Sequence, residues 1–385
     1  VRRVRDPFYR ADFNTESNVD YDTYDLLVTQ TRDALDNLVS IRSDYRVLQP
    51  SLMTDPNGNR SEVAFDILGM VAGTAVMGKE TENQGDTLHR FTADLDEATV
   101  LAHLNDPLAE PHAILQGATT RLVYDLFAYH RTKDQPEPQP AVAYAMARET
   151  HAADLAAGTQ TKIQHSFVYS DGFGREIQKK IQTEPGSLVS GGPEINPRWV
   201  GSGWTVFNNK GKPVRQFEPF FSATHAFEFD LRVGVSPILF YDPLQRVVGT
   251  LHPNHTWQKV VFDPWRQESW DVNDTLLINP ADDVDIGSHF RRLHKDTYLP
   301  TWHDTRSGGA MGVQEQAAAQ KTEAHANTPA VAHMDSLGRT FLTIAHNRVA
   351  RGGSPLVDEF YRTRVVFDIE GNQREVIDAL GRIVM

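Results

Sequence analysis

A short phrase recurs along the chain: Asp, two variable residues, then Gly, commonly followed by Arg or Asn. The clearest copies begin at Asp55, Asp66, Asp171, Asp335, Asp368 and Asp378 and close on Gly58, Gly69, Gly174, Gly338, Gly371 and Gly381. Variants begin at Asn208, which closes on Gly211, and at Asp33, Asp242 and Asp263, which close on Asp36, Gln245 and Arg266. A repeat limits the architecture more than any single residue does, because each copy performs the same local task. Asp first and Gly fourth are the preferences of a type I turn, and Pro suits the second place. The Asp carboxylate accepts from backbone N–H groups two residues on, and Gly takes positive φ at little steric cost. A type I turn followed by such a Gly makes a hairpin loop with a bulge. Phe65, Phe207, Tyr241, Phe262, Phe367 and Ile377 stand directly before the turns, and Ile177, Val247, Val248, Ile383 and Val384 follow them. Aromatic and β-branched residues favour strands, so each copy predicts strand, tight turn, strand. Gln245 and Arg266 in the glycine place leave the geometry of those two turns open.

The expectation is an all-β chain, an array of β-hairpins forming a curved, shell-like sheet. Residues 81–118 and 282–328 break the texture and predict helical or looped insertions. Asp94 and Glu97 suggest a capping box for a helix through Leu104. Asp106-Pro107 suggests a second start, and the Ala- and Gln-rich stretch from Met311 to Ala326 a third helix. Thr120–Tyr129 reads as strand. Ala141 to Glu184 reads as a long strand and a hairpin turning at Asp171, and Arg198 to Phe221 as a hairpin turning at Asn208.

The 385 residues carry a formal net charge of −13, which argues against nucleic acid as a main partner. No apolar run reaches the ~18 residues that span a bilayer. Cys is absent, which excludes disulfides and thiolate metal sites. The chain starts at Val1 and ends shortly after the turn at Asp378. Both ends read as cut from a larger chain, of which residues 1–385 would be one segment.

The repeated turns resemble the RHS or YD repeats of bacterial and some animal proteins, in which Tyr-Asp, a short turn and Gly-Arg precede an apolar strand. Arg198-Trp199-Val200-Gly201 through Phe207-Asn208-Asn209-Lys210-Gly211-Lys212-Pro213-Val214-Arg215 is similar to the B component of insecticidal toxin complexes, the Tc toxins with SpvB-like relatives. So are Tyr241-Asp242-Pro243-Leu244-Gln245-Arg246 and the stretch from His252-Pro253-Asn254-His255 to Trp270-Asp271-Val272-Asn273. The resemblance covers most of the chain and is densest from 160 to 275. It implies a wall segment of a hollow β-shell that encloses a cytotoxic polypeptide before delivery, in a secreted complex. The implied partners are the C component with its enclosed cytotoxic region, and the pore-forming A component through N-terminal regions not evident here. No catalytic residue and no cofactor is implied. An extracellular carbohydrate- or protein-binding repeat module is the alternative, and a hydrolase with unrecognised carboxylates a third reading.

Candidate chemistry is thin. Asp55, Asn57, Asn59 and Asp66 mimic part of a calcium loop, but Arg60 stands where Gly is required. His252, His255, His289, His294 and His303 form no His-Glu-x-x-His helix. Gly201-Ser202-Gly203 is not a nucleophile elbow, and Gly78-Lys79 is not a P-loop. Asp282, Asp283 and Asp285 read as a solvated loop. Trp199, Trp204, Trp257, Trp265, Trp270 and Trp302 read as packing between sheet faces rather than as a sugar platform.

Overall fold

The computed structural model describes residues 2–10, 12–352 and 354–385. The chain divides into two compact units, Val1–Ser202 with Pro219–Leu231, and Gly203–Glu218 with Arg232–Met385. Both are built on antiparallel sheets, so the architecture is all-β. In the first unit, eleven strands from Arg3–Arg5 to Glu176–Thr183 pair in chain order, and Arg198–Gly201 and Phe220–Ser222 extend them to thirteen. In the second, eight strands pair in chain order from Ile238–Tyr241 to Gln373–Ile377. Pairing of consecutive strands needs only short connections, which the turns supply.

The turns share one hydrogen-bond pattern. At Asp55, the Gly58 N–H donates to the Asp55 carbonyl and the Asp55 N–H to the Asn59 carbonyl, both at 2.9 Å. One carboxylate oxygen accepts from the N–H groups of Asn57 and Asn59 at 2.8 Å, and the other from the Asn59 side chain at 3.0 Å. The same carboxylate clamp, with Arg or Asn two places past the turn centre, occurs at Asp33, Asp171, Asp335, Asp368 and Asp378. This gives the residue after the glycine a job: it satisfies the oxygen that the backbone leaves over. Such side-chain bonds, first among the causes, hold Asp33, Asp55, Asp368 and Asp378 below the usual carboxylate range.

The two open geometries resolve differently. Gln245 adopts φ +69° and makes the same turn as the glycines, with Arg246 clamping Asp242 at 2.7 Å. Asp263 makes a shorter corner, in which its N–H donates to the Arg266 carbonyl and only Pro264 and Trp265 lie between the paired ends. Arg266 needs no positive φ there. Asp66 and Asn208 keep the backbone pattern, with Met70 and Lys212 in the clamping place.

Several boundaries differ from the sequence reading. The helix Glu97–Asn105 is capped by Asp96, whose side chain accepts from the Thr99 N–H, and not by Asp94. The second helix begins at Pro111, after Asp106 and Pro107 have made a turn. The strand Thr120–Asp125 stops before a short helix, Ala128–Thr132. Residues 149–162 interrupt the expected long strand, giving Ala141–Arg148 and Ile163–Ser170. The Asn208 hairpin is confined to Thr205–Phe207 and Pro213–Gln216, while Arg198–Gly201 joins the large sheet instead.

Each unit has one core, on one face of its sheet. In the first, Tyr144, Met146, Phe167, Tyr169 and Trp199 meet Ile114 and Leu115 from the overlying segment, with Leu88, Phe91, Leu95, Val100 and Leu104 packed at the margin. In the second, Ile238, Phe240, Leu251 and Trp257 meet Ile286, Phe290 and Tyr298. A buried cation ties each cover down. Arg121 donates to the carbonyls of Thr92 and Ala93. Lys180 pairs with Glu228, and Lys259 reaches Asp283 and Asp285, both at 2.6 Å. Burial alone works against the charge on Lys259, yet the two carboxylates outweigh it and raise its pKa. Away from these covers the sheets have no core. Among the described residues, none before Ala72 and none after Ala326 is buried.

Candidate functional site

Successive strand residues point to opposite faces, so strand register decides which side chains share a wall. In the thirteen-stranded sheet, one set of cross-strand rows runs Val19–Thr31–Val39, then Ile41–Met53–Ser61–Val76, then Val63–Thr74–Thr120–Ala147. It continues as Leu122–Ala145–Ser166–Ile181–Val200–Phe221. At register-paired positions away from the bulges, this face holds no Asp or Glu. Lys179 and Arg198 are its charges, both toward one end of the strand order.

The opposite face carries the ions. Arg5 pairs across to Glu16, and the row Arg42–Leu52–Glu62 brings a guanidinium toward a carboxylate at 3.8 Å. Farther along, that face becomes the covered one, with Arg121, His165 and Lys180 among the aromatics. The second unit sorts its residues the same way. Leu239–Thr250–Gln258, Val260–Ser269–Ala330 and Gln267–Ala332–Thr343–Thr363 share one face, on which Glu359 is the charged residue. Glu268, Arg362, Arg364 and Glu375 stand on the other.

Apart from Lys179 and Arg198, this carboxylate-free face consists mainly of aliphatic side chains and hydroxyls, with Met53, Tyr124 and Phe221 as larger members. Thr74 and Thr120 satisfy each other across strands at 2.6 Å. Away from Lys179 and Arg198, such a wall offers weak, short-range contacts and no ionic partner for either sign of charge. It is suited to lying against a polypeptide without selecting its sequence. The sequence reading missed it, because the sorting appears only once all registers are fixed together.

The turn residues lie at strand ends, with Gly58, Gly69, Gly174, Gly211, Gly338, Gly371 and Gly381 at φ between +73° and +90°. They position the rows and gather into no pocket of their own. Among the described residues, no group of three or more His, Asp or Glu side chains could hold a metal ion. His252 and His255 belong to one more turn of the family, with the His255 N–H donating to the His252 carbonyl and Asn254 standing in for the Asp. Asp55 and Asp66 head separate hairpins, and Asp283 is buried against Lys259 rather than solvated. Trp199 and Trp257 are 1% and 2% exposed and lie in the two cores, whereas Trp265 is 57% exposed at its corner. No helix among the described residues is long and apolar enough to cross a membrane.

No protein-family model matches the chain, and no curated protein matches it. Solved structures match it in fold. The chain is similar to the crystal structure of TcdB2-TccC3, at 21% identity and a TM-score of 0.63, over 95% of this chain and 16% of that one. It is similar to the crystal structure of TcdB2-TccC3-Cdc42, at 19% identity and a TM-score of 0.64, over 96% of this chain and 18% of that one. It also resembles a chain in the Photorhabdus luminescens Tc holotoxin pore, at 18% identity and a TM-score of 0.61, over 95% of this chain and 18% of that one. At these identities the likeness is one of fold. The chain spans less than a fifth of the length of the solved chains it matches.

Proposed function

We propose that this chain is a wall segment of a toxin-complex container, whose uncharged sheet face lines the enclosed space and holds a cytotoxic polypeptide before delivery. The observation that carries the reading is the sorting of carboxylates off one face of the thirteen-stranded sheet. A solvated face of a net-acidic protein has no reason to exclude them. The fold shared with TcdB2-TccC3 chains supports it. In this reading the wall performs no catalysis and needs no cofactor. Its partners are the C component, with the cytotoxic region it contributes, and the pore-forming A component through other parts of a secreted, RHS-type, SpvB-like chain.

The absence of native Cys gives the test a clean background. Single substitutions Ala145→Cys and Val63→Cys mark the uncharged face, and Ser40→Cys and Thr54→Cys the opposite one. In the assembled complex, a bulky maleimide should label the second pair and spare the first. A short cross-linker should join the first pair to the enclosed chain. Equal labelling of both faces defeats the proposal.

A further inference from the structure

Strands that pair antiparallel in chain order send successive connections to opposite rims of their sheet. In the first unit the connections 22–27, 45–48, 66–70, 126–140 and 171–175 therefore share one rim, two strands or roughly 10 Å apart. Tyr24, Tyr45, Leu68, Phe127 and Phe173 stand at these five places, each more than half exposed, with Leu26, Leu48, Ile67, Leu126 and Tyr129 beside them. The opposite rim is broken by Pro56 and Asn57 at its Asp55 turn, and the described residues 149–162 add no exposed large apolar side chain to it. Neighbouring tips of the apolar rim are tied sideways. Tyr45 Oη donates to Asp22 at 2.5 Å, its ring meeting Tyr24 edge to face, and Arg46 donates to the Asp66 carbonyl at 2.6 Å. We propose that this rim binds the same rim of a second copy of the chain, with Phe173 of each copy seated in a cavity of the other. The inference goes beyond the container reading and does not rest on it.

The strands Val71–Met77 and Thr120–Asp125 pair at Gly73–Arg121 and Thr74–Thr120. From that pairing toward the rim a cavity of about 520 Å³ opens, with Leu68, Met70, Leu95, Val100, Leu126 and Phe127 in its wall. Its carboxylates are already engaged: Asp66 by its own turn, Asp94 by the Ile67 N–H, and Asp125 and Glu97 by Arg131. A phenyl ring can enter without stripping water from an unpaired charge. Phe173 is the matching knob. It is 85% exposed at the third place of its turn, a place the Asp55 turn fills with Asn57, so the turn itself needs no ring there. Knob and socket lie on one rim, so a two-fold axis between them satisfies both at once. A lipid surface would take the tips but supplies no knob for the cavity. By side-chain size and exposure the ten rim residues offer roughly 1,000 Å² of apolar surface, above the ~800 Å² per partner of a stable interface and the ~300–600 Å² patch of an ordinary monomer. The sideways ties fix the tips beforehand, which lowers the cost of ordering them. The acidic turn residues do not hold two copies apart, because Asp22, Asp66 and Asp171 turn an oxygen onto the N–H groups of their own turns.

The test is sedimentation velocity on the full chain over about 1–100 µM, where an interface of this size shows a monomer–dimer equilibrium. The native chain should dimerise. Phe173→Ser, with circular dichroism matching the native chain, should weaken the dimer at least about 30-fold. Leu35→Ser, on the opposite rim, should change it by no more than about threefold. Gly172→Cys keeps Phe173 and has open space around its new side chain. A short bis-maleimide should join Gly172→Cys chains to Leu126→Cys chains and leave Leu35→Cys chains unjoined. A native chain that stays monomeric throughout overturns the proposal. So does a dimer that Phe173→Ser leaves intact, or one that gives no Gly172→Cys to Leu126→Cys cross-link, since either would move the contact to an open strand edge. A monomer that floats with phosphatidylcholine vesicles would give the rim to lipid and overturns it equally.

Discussion

Gln245 fills the glycine place of the Asp242 turn with a long side chain. Its φ of +69° lies just below the +73° to +90° of the turn glycines. A side chain in the left-handed region costs about 1–2 kcal/mol. Its Oε1 is buried without a partner, an omission worth about 1 kcal/mol or more. Glycine would remove both terms and restore about 0.5–1 kcal/mol of unfolded-chain entropy against folding. Gln245→Gly should therefore stabilise the second unit by about 1–2 kcal/mol. Gln245→Val should destabilise it, because a β-branched residue tolerates that φ least. Urea unfolding followed by tryptophan emission reads both, since Trp257 is buried in that unit. Loss of stability in Gln245→Gly would refute the reasoning, and would mean that the side chain's packing outweighs its backbone strain.

Three further outcomes follow from buried charge. Lys259→Met leaves Asp283 buried beside no cation and should cost about 3–5 kcal/mol in denaturant unfolding; a loss below about 1 kcal/mol would contradict the tie described for that cover. Asp86→Asn should cost about 2–4 kcal/mol in the same assay, because Arg148 loses its buried counterion at 3.3 Å and Thr119 its acceptor at 2.5 Å. His165 binds its proton more weakly folded than unfolded, so its contribution is complete above pH 6.5 and is lost as pH falls toward about 4, to a total of about 3 kcal/mol. His165→Phe should flatten that part of a stability-versus-pH curve.

What could be read from the chain was whatever a single residue type demands locally. Asp and Gly announce a turn because the carboxylate and the positive φ are both needed within four residues. The turn at His252 escaped notice because Asn254 supplies the accepting oxygen from a different place. Asp22 escaped because its loop runs one residue longer before Leu27. Asp94 was mistaken for a cap because two acids within three residues compete for one helix end, and the Asp96 carboxylate reaches the Thr99 N–H. The covers were less legible still. Lys180 meets Glu228 and Lys259 meets Asp283 across loops whose course no local pattern records. The uncharged face depends on twelve registers at once, and a slip of one residue in any strand would have turned its ions inward.

The strands before Ala72 have water within reach of both sides and nothing stacked above or below to bury. Whatever holds each of them is therefore borrowed sideways, from the ladder next door. Order must spread outward from Thr120–Asp125 and its cored neighbours, so that damage to a middle strand such as Gln49–Thr54 unravels everything on its far flank and spares the near one. Such a fabric frays from a hem instead of collapsing from a centre.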